Sequence, residues 1–165
     1  MKKGSKIAIL VLIGIVALAF VNAGAAADEK VTFDGVKLTQ PSGITHTTDP
    51  NCMDFYNGKQ LVFSISNDGV PLKEFDDTYS ALSSGKLSYD KYMSSMTEKS
   101  NYSTTTNCSL ETIEGYKTIT TLSKDNTNSN IYVVKMIRTP DKVYTVSYLE
   151  NDDNGVKIYD SMQFK

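Results

Sequence analysis

Tryptophan is absent from this 165-residue chain, histidine and arginine each occur once, and cysteine occurs twice. Each shortage closes a class of function. With His46 as the sole imidazole, a Ser-His or Cys-His site has one candidate base, and a multi-histidine metal centre is excluded. Two thiols and one histidine do not make a zinc site. One arginine, Arg138, gives no basic stripe for nucleic acid. Gly-x-Ser-x-Gly occurs nowhere, so no nucleophile elbow is present. The aromatic load falls on ten tyrosines and six phenylalanines, which suit half-buried strands with a solvated face.

What is present begins at the N-terminus. Lys2, Lys3 and Lys6 precede an apolar run from Ile7 to Val21, followed by the small-residue tail Asn22-Ala23-Gly24-Ala25-Ala26-Ala27. This is the layout of an export signal with an Ala-Ala-Ala cleavage site. An uncleaved anchor is the alternative, because the run and its tail approach the roughly 20 apolar residues a spanning helix needs. Both readings put residues 28–165 outside the cytoplasmic membrane, with membrane contact only through residues 1–27. Residues 28–165 form one domain by length. Without the leader's three lysines, 14 basic residues face 19 acidic ones, a net charge of −5.

Hydrophobic patterning gives an α+β order. Asp34-Gly35 and Asn57-Gly58 each sit between strand-like runs, and Leu61, Phe63 and Ile65 alternate with polar residues. Leu72, Phe75, Tyr79 and Leu82 recur at helical spacing, with Glu74, Asp76 and Asp77 near the positive end. A short second helix carries Tyr89, Met93 and Met96, where the methionines read as core filling. Strands return around Glu114-Gly115. Ile131 to Arg138 is apolar on both faces and reads as central, and Val143 to Leu149 pairs back with it. Gly155 to Ser161 reads as a terminal helix and Met162-Gln163-Phe164 as a closing strand. The order predicts a mostly antiparallel sheet with helices packed on it.

From Val36 onward the chain resembles the PsbP-like family, which shares its fold with a Ran-binding nuclear-transport factor. The resemblance rests on the opening strand with Pro41-Ser42-Gly43, the late strand Val143-Tyr144-Thr145-Val146-Ser147-Tyr148, and the tail Ile158-Tyr159-Asp160-Ser161-Met162-Gln163-Phe164. Met162 stands where that family has an aromatic. The resemblance implies an α/β/α sandwich with helices on both faces of the sheet. It implies no catalytic residues, because the family is largely one of accessory and binding proteins, and no functional motif of either relative carries over.

Cys52 and Cys108 lie in polar, turn-rich contexts, and an even pair in an exported chain reads as a disulfide worth about 4 kcal/mol in the chain-entropy account. Two buried free thiols are the alternative. Asn101-Tyr102-Ser103 and Asn107-Cys108-Ser109 are glycosylation sequons, which makes Asn101 and Asn107 acceptor candidates. Glu150-Asn151-Asp152-Asp153-Asn154-Gly155 resembles the start of a calcium loop, but Glu replaces its first Asp and Ser161 the bidentate Glu. A polar turn is the simpler reading. His46 lies in a Gly/Thr context and reads as a solvated loop residue. The sequence therefore points to an exported or cell-surface-tethered accessory or interaction module, monomeric and non-enzymatic. It carries no catalytic, cofactor-binding or metal residue, does not bind nucleic acid, and has a cell-envelope component as partner. A small extracellular hydrolase and a calcium-dependent surface adhesion module are the rivals.

Overall fold

The computed structural model describes residues 27–67 and 69–164. The leader expected over residues 1–27, including the apolar run, lies outside them except for Ala27. No helix among the described residues is long and apolar enough to cross a membrane.

The described residues begin with a hairpin, β1 (Glu29–Phe33) and β2 (Val36–Gln40). Its turn is Asp34-Gly35, with φ of 46° and 88°. Two positive φ values match the right-handed twist of the flanking strands, and glycine meets the second at no steric cost. Three strands follow, β3 (Thr45–Thr48), β4 (Cys52–Asn57) and β5 (Gln60–Ser66). Next come α1 (Leu72–Ser83) and α2 (Tyr89–Lys99). The chain continues through β6 (Ser103–Ile113), β7 (Tyr116–Asp125), β8 (Ile131–Arg138), β9 (Val143–Leu149) and α3 (Asp153–Asp160).

Strands β3 to β9 form a seven-stranded sheet in the order β3-β4-β5-β9-β8-β7-β6, antiparallel throughout. Alternation along the strands gives each face its own core. One core joins the hairpin and α3 to the sheet through Leu38, Phe55, Phe63, Ile137, Val146 and Ile158. The other joins α1 and α2 to the opposite face through Phe75, Leu82, Tyr92, Ile119, Met136 and Val143. Met136 and Ile137 are neighbours in sequence and serve opposite cores, as the period of two requires. The fold is α+β, with helices on both faces of an antiparallel sheet.

Two close approaches hold the hairpin side. Gly155 lets α3 lie on β5, since a Cβ there would stand 2.4 Å from the backbone oxygen of Val62. The hairpin tip is pinned by Asp34. Its carboxylate accepts hydrogen bonds from Lys142 Nζ at 2.7 Å and Asn67 Nδ2 at 2.7 Å, while its carbonyl accepts one from Tyr144 Oη at 2.8 Å. The bond from Lys142 is the largest of the causes that hold the Asp34 carboxyl below its ordinary 3.8. A carboxyl with a lower pKa in the folded than in the unfolded chain contributes fully above the unfolded value. It loses that contribution as pH falls through the folded value. Asp34→Asn is therefore less stable than the parent near neutral pH by about 1 kcal/mol, the scale of a hydrogen bond to a charged group at a partly exposed site. The two unfolding curves should converge as pH drops below about 4, which denaturant titrations at stepped pH will read. A difference that stays constant down to pH 2 would show that the carboxylate is not the source.

The closing segment departs from the sequence expectation. Residues 162–164 do not form a strand. Gln163 makes an isolated bridge to Lys37 of β2, with both backbone bonds at 3.0 Å. Strand β3 also departs from it, because His46 in its Gly/Thr context reads as loop in the sequence. It carries no apolar alternation, and β-branched threonines on an edge strand supply the pleat instead.

The expected Cys52–Cys108 disulfide is not formed, and both cysteines are free. Cys52 is on β4 and Cys108 on β6, with β5, β9, β8 and β7 between them. Five inter-strand steps separate them by roughly 24 Å, far beyond the Cα distance of about 4.4–6.8 Å that a disulfide needs. Cys52 Sγ donates to Asp54 Oδ1 at 3.2 Å, a bond that serine can replace. Cys52→Ser should change stability by less than about 1 kcal/mol, against the roughly 2–4 kcal/mol of a lost bridge. Intact mass after denaturing alkylation without reductant should show two alkylated thiols. A mass short by two hydrogens with no alkylation would restore the bridge.

Candidate functional site

The sequence-nominated groups do not converge. His46 is a half-buried strand residue, not a solvated loop residue. Its Nδ1 donates to Gln40 Oε1 at 2.5 Å, and Gln40 Nε2 donates to the Ile44 carbonyl at 2.5 Å. Its ring lies 5.6 Å from that of Phe55. This chain of bonds satisfies the buried Gln40 side chain and ties β2 to β3. Burial, and then the Asp54 charge, push the Cys52 thiol up to about 12; burial alone pushes Cys108 up to about 11. Both are protonated at neutral pH and are poor nucleophiles. Asp152 is the N-cap of α3, its Oδ1 accepting from the backbone N–H groups of Asn154 and Gly155 at 2.9 Å each. The Glu150–Gly155 segment is thus a strand-to-helix turn. No group of three or more metal-ligating side chains occurs among the described residues. Asn101 and Asn107 are both exposed.

Two charged clusters turn out to be structural ties. Arg138 clamps α1 to β8 through Asp76, with Nε–Oδ1 at 3.2 Å and Nη2–Oδ2 at 3.0 Å. Lys135, buried on β8, meets Glu111 Oε1 of β6 at 2.5 Å and lies 5.3 Å from the centroid of the Tyr159 ring. Burial raises the Glu111 carboxyl, but the hydrogen bonds from Lys135 and Thr120 outweigh it, and the net shift is downward. A lysine held in this way is not available as a base or nucleophile.

The feature without such an explanation lies on the other face, under the helices. A cavity of about 100 Å³ opens between α1, α2 and the sheet. Phe75 of α1, Tyr92 and Met96 of α2, and Ile119 and Met136 of the sheet make its wall apolar. A smaller hollow of about 20 Å³ adjoins it and shares Met96, Lys99 and Met136. Two charged residues line the larger cavity, Glu74 in the first turn of α1 and Lys99 in the last turn of α2. Glu74 Oε1 is buried and accepts no hydrogen bond among the described residues. Lys99 is exposed and enters none of the ion pairs among them. Ser95, also on the wall, spends its hydroxyl on the Tyr92 carbonyl at 2.8 Å. Leaving a carboxylate oxygen in apolar surroundings without a donor costs several kcal/mol, so buried oxygens are nearly always satisfied.

In the sequence Glu74 complements the helix dipole and Met96 fills core, and nothing marks Lys99 as a cavity residue. The available signal was positional. Glu74 adjoins Phe75 and stands four residues before Thr78, which puts it on the inward flank of the α1 stripe rather than opposite it.

No family model matches the chain, and no curated protein matches it. A solved structure does: the solution structure of cyanobacterial PsbP (CyanoP) from Synechocystis sp. PCC 6803. The TM-score is 0.52 at 14% identity, over 94% of this chain and 99% of that one. The chain has a PsbP-like fold. At that identity the likeness is one of architecture, and it agrees with the expectation drawn from the opening strand, the late strand and the tail. The cavity and its two charged residues are described from this chain alone.

Proposed function

We propose that the protein works outside the cytoplasmic membrane as a non-enzymatic binding or accessory module, and that the cavity under α1 and α2 is its binding site. One observation carries the reading: the buried, unpartnered Glu74 Oε1 in an apolar cavity. An acceptor in that position is stabilised by a ligand that brings a donor. The non-enzymatic part is supported by the groups that would otherwise do chemistry. His46 is bonded to Gln40, Lys135 is paired with Glu111, and both thiols are held protonated. The export part is supported by the basic residues, apolar run and Ala-Ala-Ala tail of residues 1–27.

Two measurements test it. Protease added to intact cells should remove a C-terminal tag from the full chain; protection until lysis would overturn the location. Methyl NMR of the full chain in mild detergent, on addition of a small-molecule extract of the cell envelope, should shift Met96 and Met136. Shifts centred on residues around His46, with turnover of an extract component, would favour the hydrolase rival.

A further inference from the structure

We infer that the ligand of this cavity is a small organic ammonium, a cationic nitrogen carried on an apolar body of about two or three carbons. The inference rests on the cavity being the binding site and goes further by naming the class of ligand.

Three features set the class. The first is size. A water needs about 10–15 Å³ of such space, and a dry apolar cavity of about 150 Å³ accepts benzene. A cavity of about 100 Å³ therefore takes something smaller than benzene and far larger than one water. The second is the wall. Phe75, Tyr92, Met96, Ile119 and Met136 offer apolar and polarisable surface, which suits a hydrocarbon body and tolerates a cation beside aromatic rings. The third is the head group. Glu74 Oε1 lacks a donor, and an N⁺–H donor to a carboxylate makes a hydrogen bond about twice as strong as a neutral one. An alcohol would satisfy the same oxygen less strongly, and an anion would be repelled by it. Lys99 is the countervailing charge on the cavity wall. It is exposed, so solvent and salt screen it, whereas Glu74 is half-buried with its Oε1 against the apolar wall and is screened less.

The test uses three probes of similar shape, propylamine, propanol and propionate, titrated into the full chain in mild detergent and followed by the Met96 and Met136 methyl signals. The amine should bind at least about tenfold more tightly than the alcohol, with the acid weakest. In Glu74→Gln the amine should fall to within about threefold of the alcohol. The hairpin-side methyl signals of Met53 and Met162 should stay in place, which shows that the variant is folded. Three results would each overturn the ammonium assignment: equal binding of alcohol and amine, an acid that binds best and loses affinity in Lys99→Ala, or an amine preference that survives Glu74→Gln. All three leave the cavity a binding site, so the broader reading would survive them. Failure of all three probes to move Met96 or Met136 would overturn the ammonium assignment, while the extract titration would still decide whether the cavity binds anything.

Discussion

Ile137→Asp should leave the chain without a cooperative unfolding transition. Ile137 is fully buried on β8, paired with Thr118 on one side and Tyr144 on the other, in the core under the hairpin and α3. A carboxylate there is enclosed by the apolar side chains of that core, and its burial costs several kcal/mol or forces protonation. Whole-domain stability is typically about 5–15 kcal/mol, so this single cost is a large fraction of it. Near-UV circular dichroism and thermal melting will show the loss. Thr112→Asp on the exposed edge strand β6 is the control, expected within about 0.5 kcal/mol of the parent. A folded Ile137→Asp protein would show that β8 does not lie where the sheet order puts it.

Phe63→Ala should lower the free energy of unfolding by about 3–5 kcal/mol. Phe63 is fully buried on β5, directly across from Phe55 and Tyr148. Its ring meets that of Phe55 edge-on, with centroids 5.5 Å apart and planes at 78°. Removing it leaves a cavity that the flanking strands cannot close, and it also deletes a favourable ring pair. Denaturant titration will measure the midpoint shift. A cost below about 1 kcal/mol would mean that the hairpin-side core relaxes freely and does not hold the sheet and α3 together.

Local chemistry was legible wherever one short segment carried the whole signal. Asp34-Gly35 marks a two-residue turn, the alternation of Phe63 and Ile65 marks a buried strand face, and Phe75 with Leu82 marks the inward side of α1. Ile131 to Arg138 reads as covered on both sides, and β8 does supply both cores. Pairings between distant segments were not legible. Nothing in Gln60–Ser66 shows that its partner is Val143–Leu149, because the whole span from α1 to β8 lies between them. The cysteine expectation failed for the same reason. Both thiols sit in polar stretches, but only the strand order shows that four strands separate them. Strand β3 was hidden because Thr-His-Thr-Thr offers no apolar face. Glu74 was hidden because a carboxylate in a first helical turn already has an ordinary explanation in the dipole. Only the cavity beside it shows that one of its oxygens is left without a partner.

The bridge between Lys37 and Gln163 ties the first hairpin to residues that are synthesised long after it. Synthesis delivers β1 to β5 first, but Leu38, Phe55 and Phe63 gain their cover only when Val146 and Ile158 arrive. The edge of β5 likewise waits for β9. The early strands therefore pair among themselves, β1 with β2 and β3 with β4 and β5, but keep an open edge and an uncovered face, and closing the intervening loop is entropically slow. For the exported chain proposed here, that delay is useful. A polypeptide that cannot close this core before residues 143–163 are available would remain threadable up to that point.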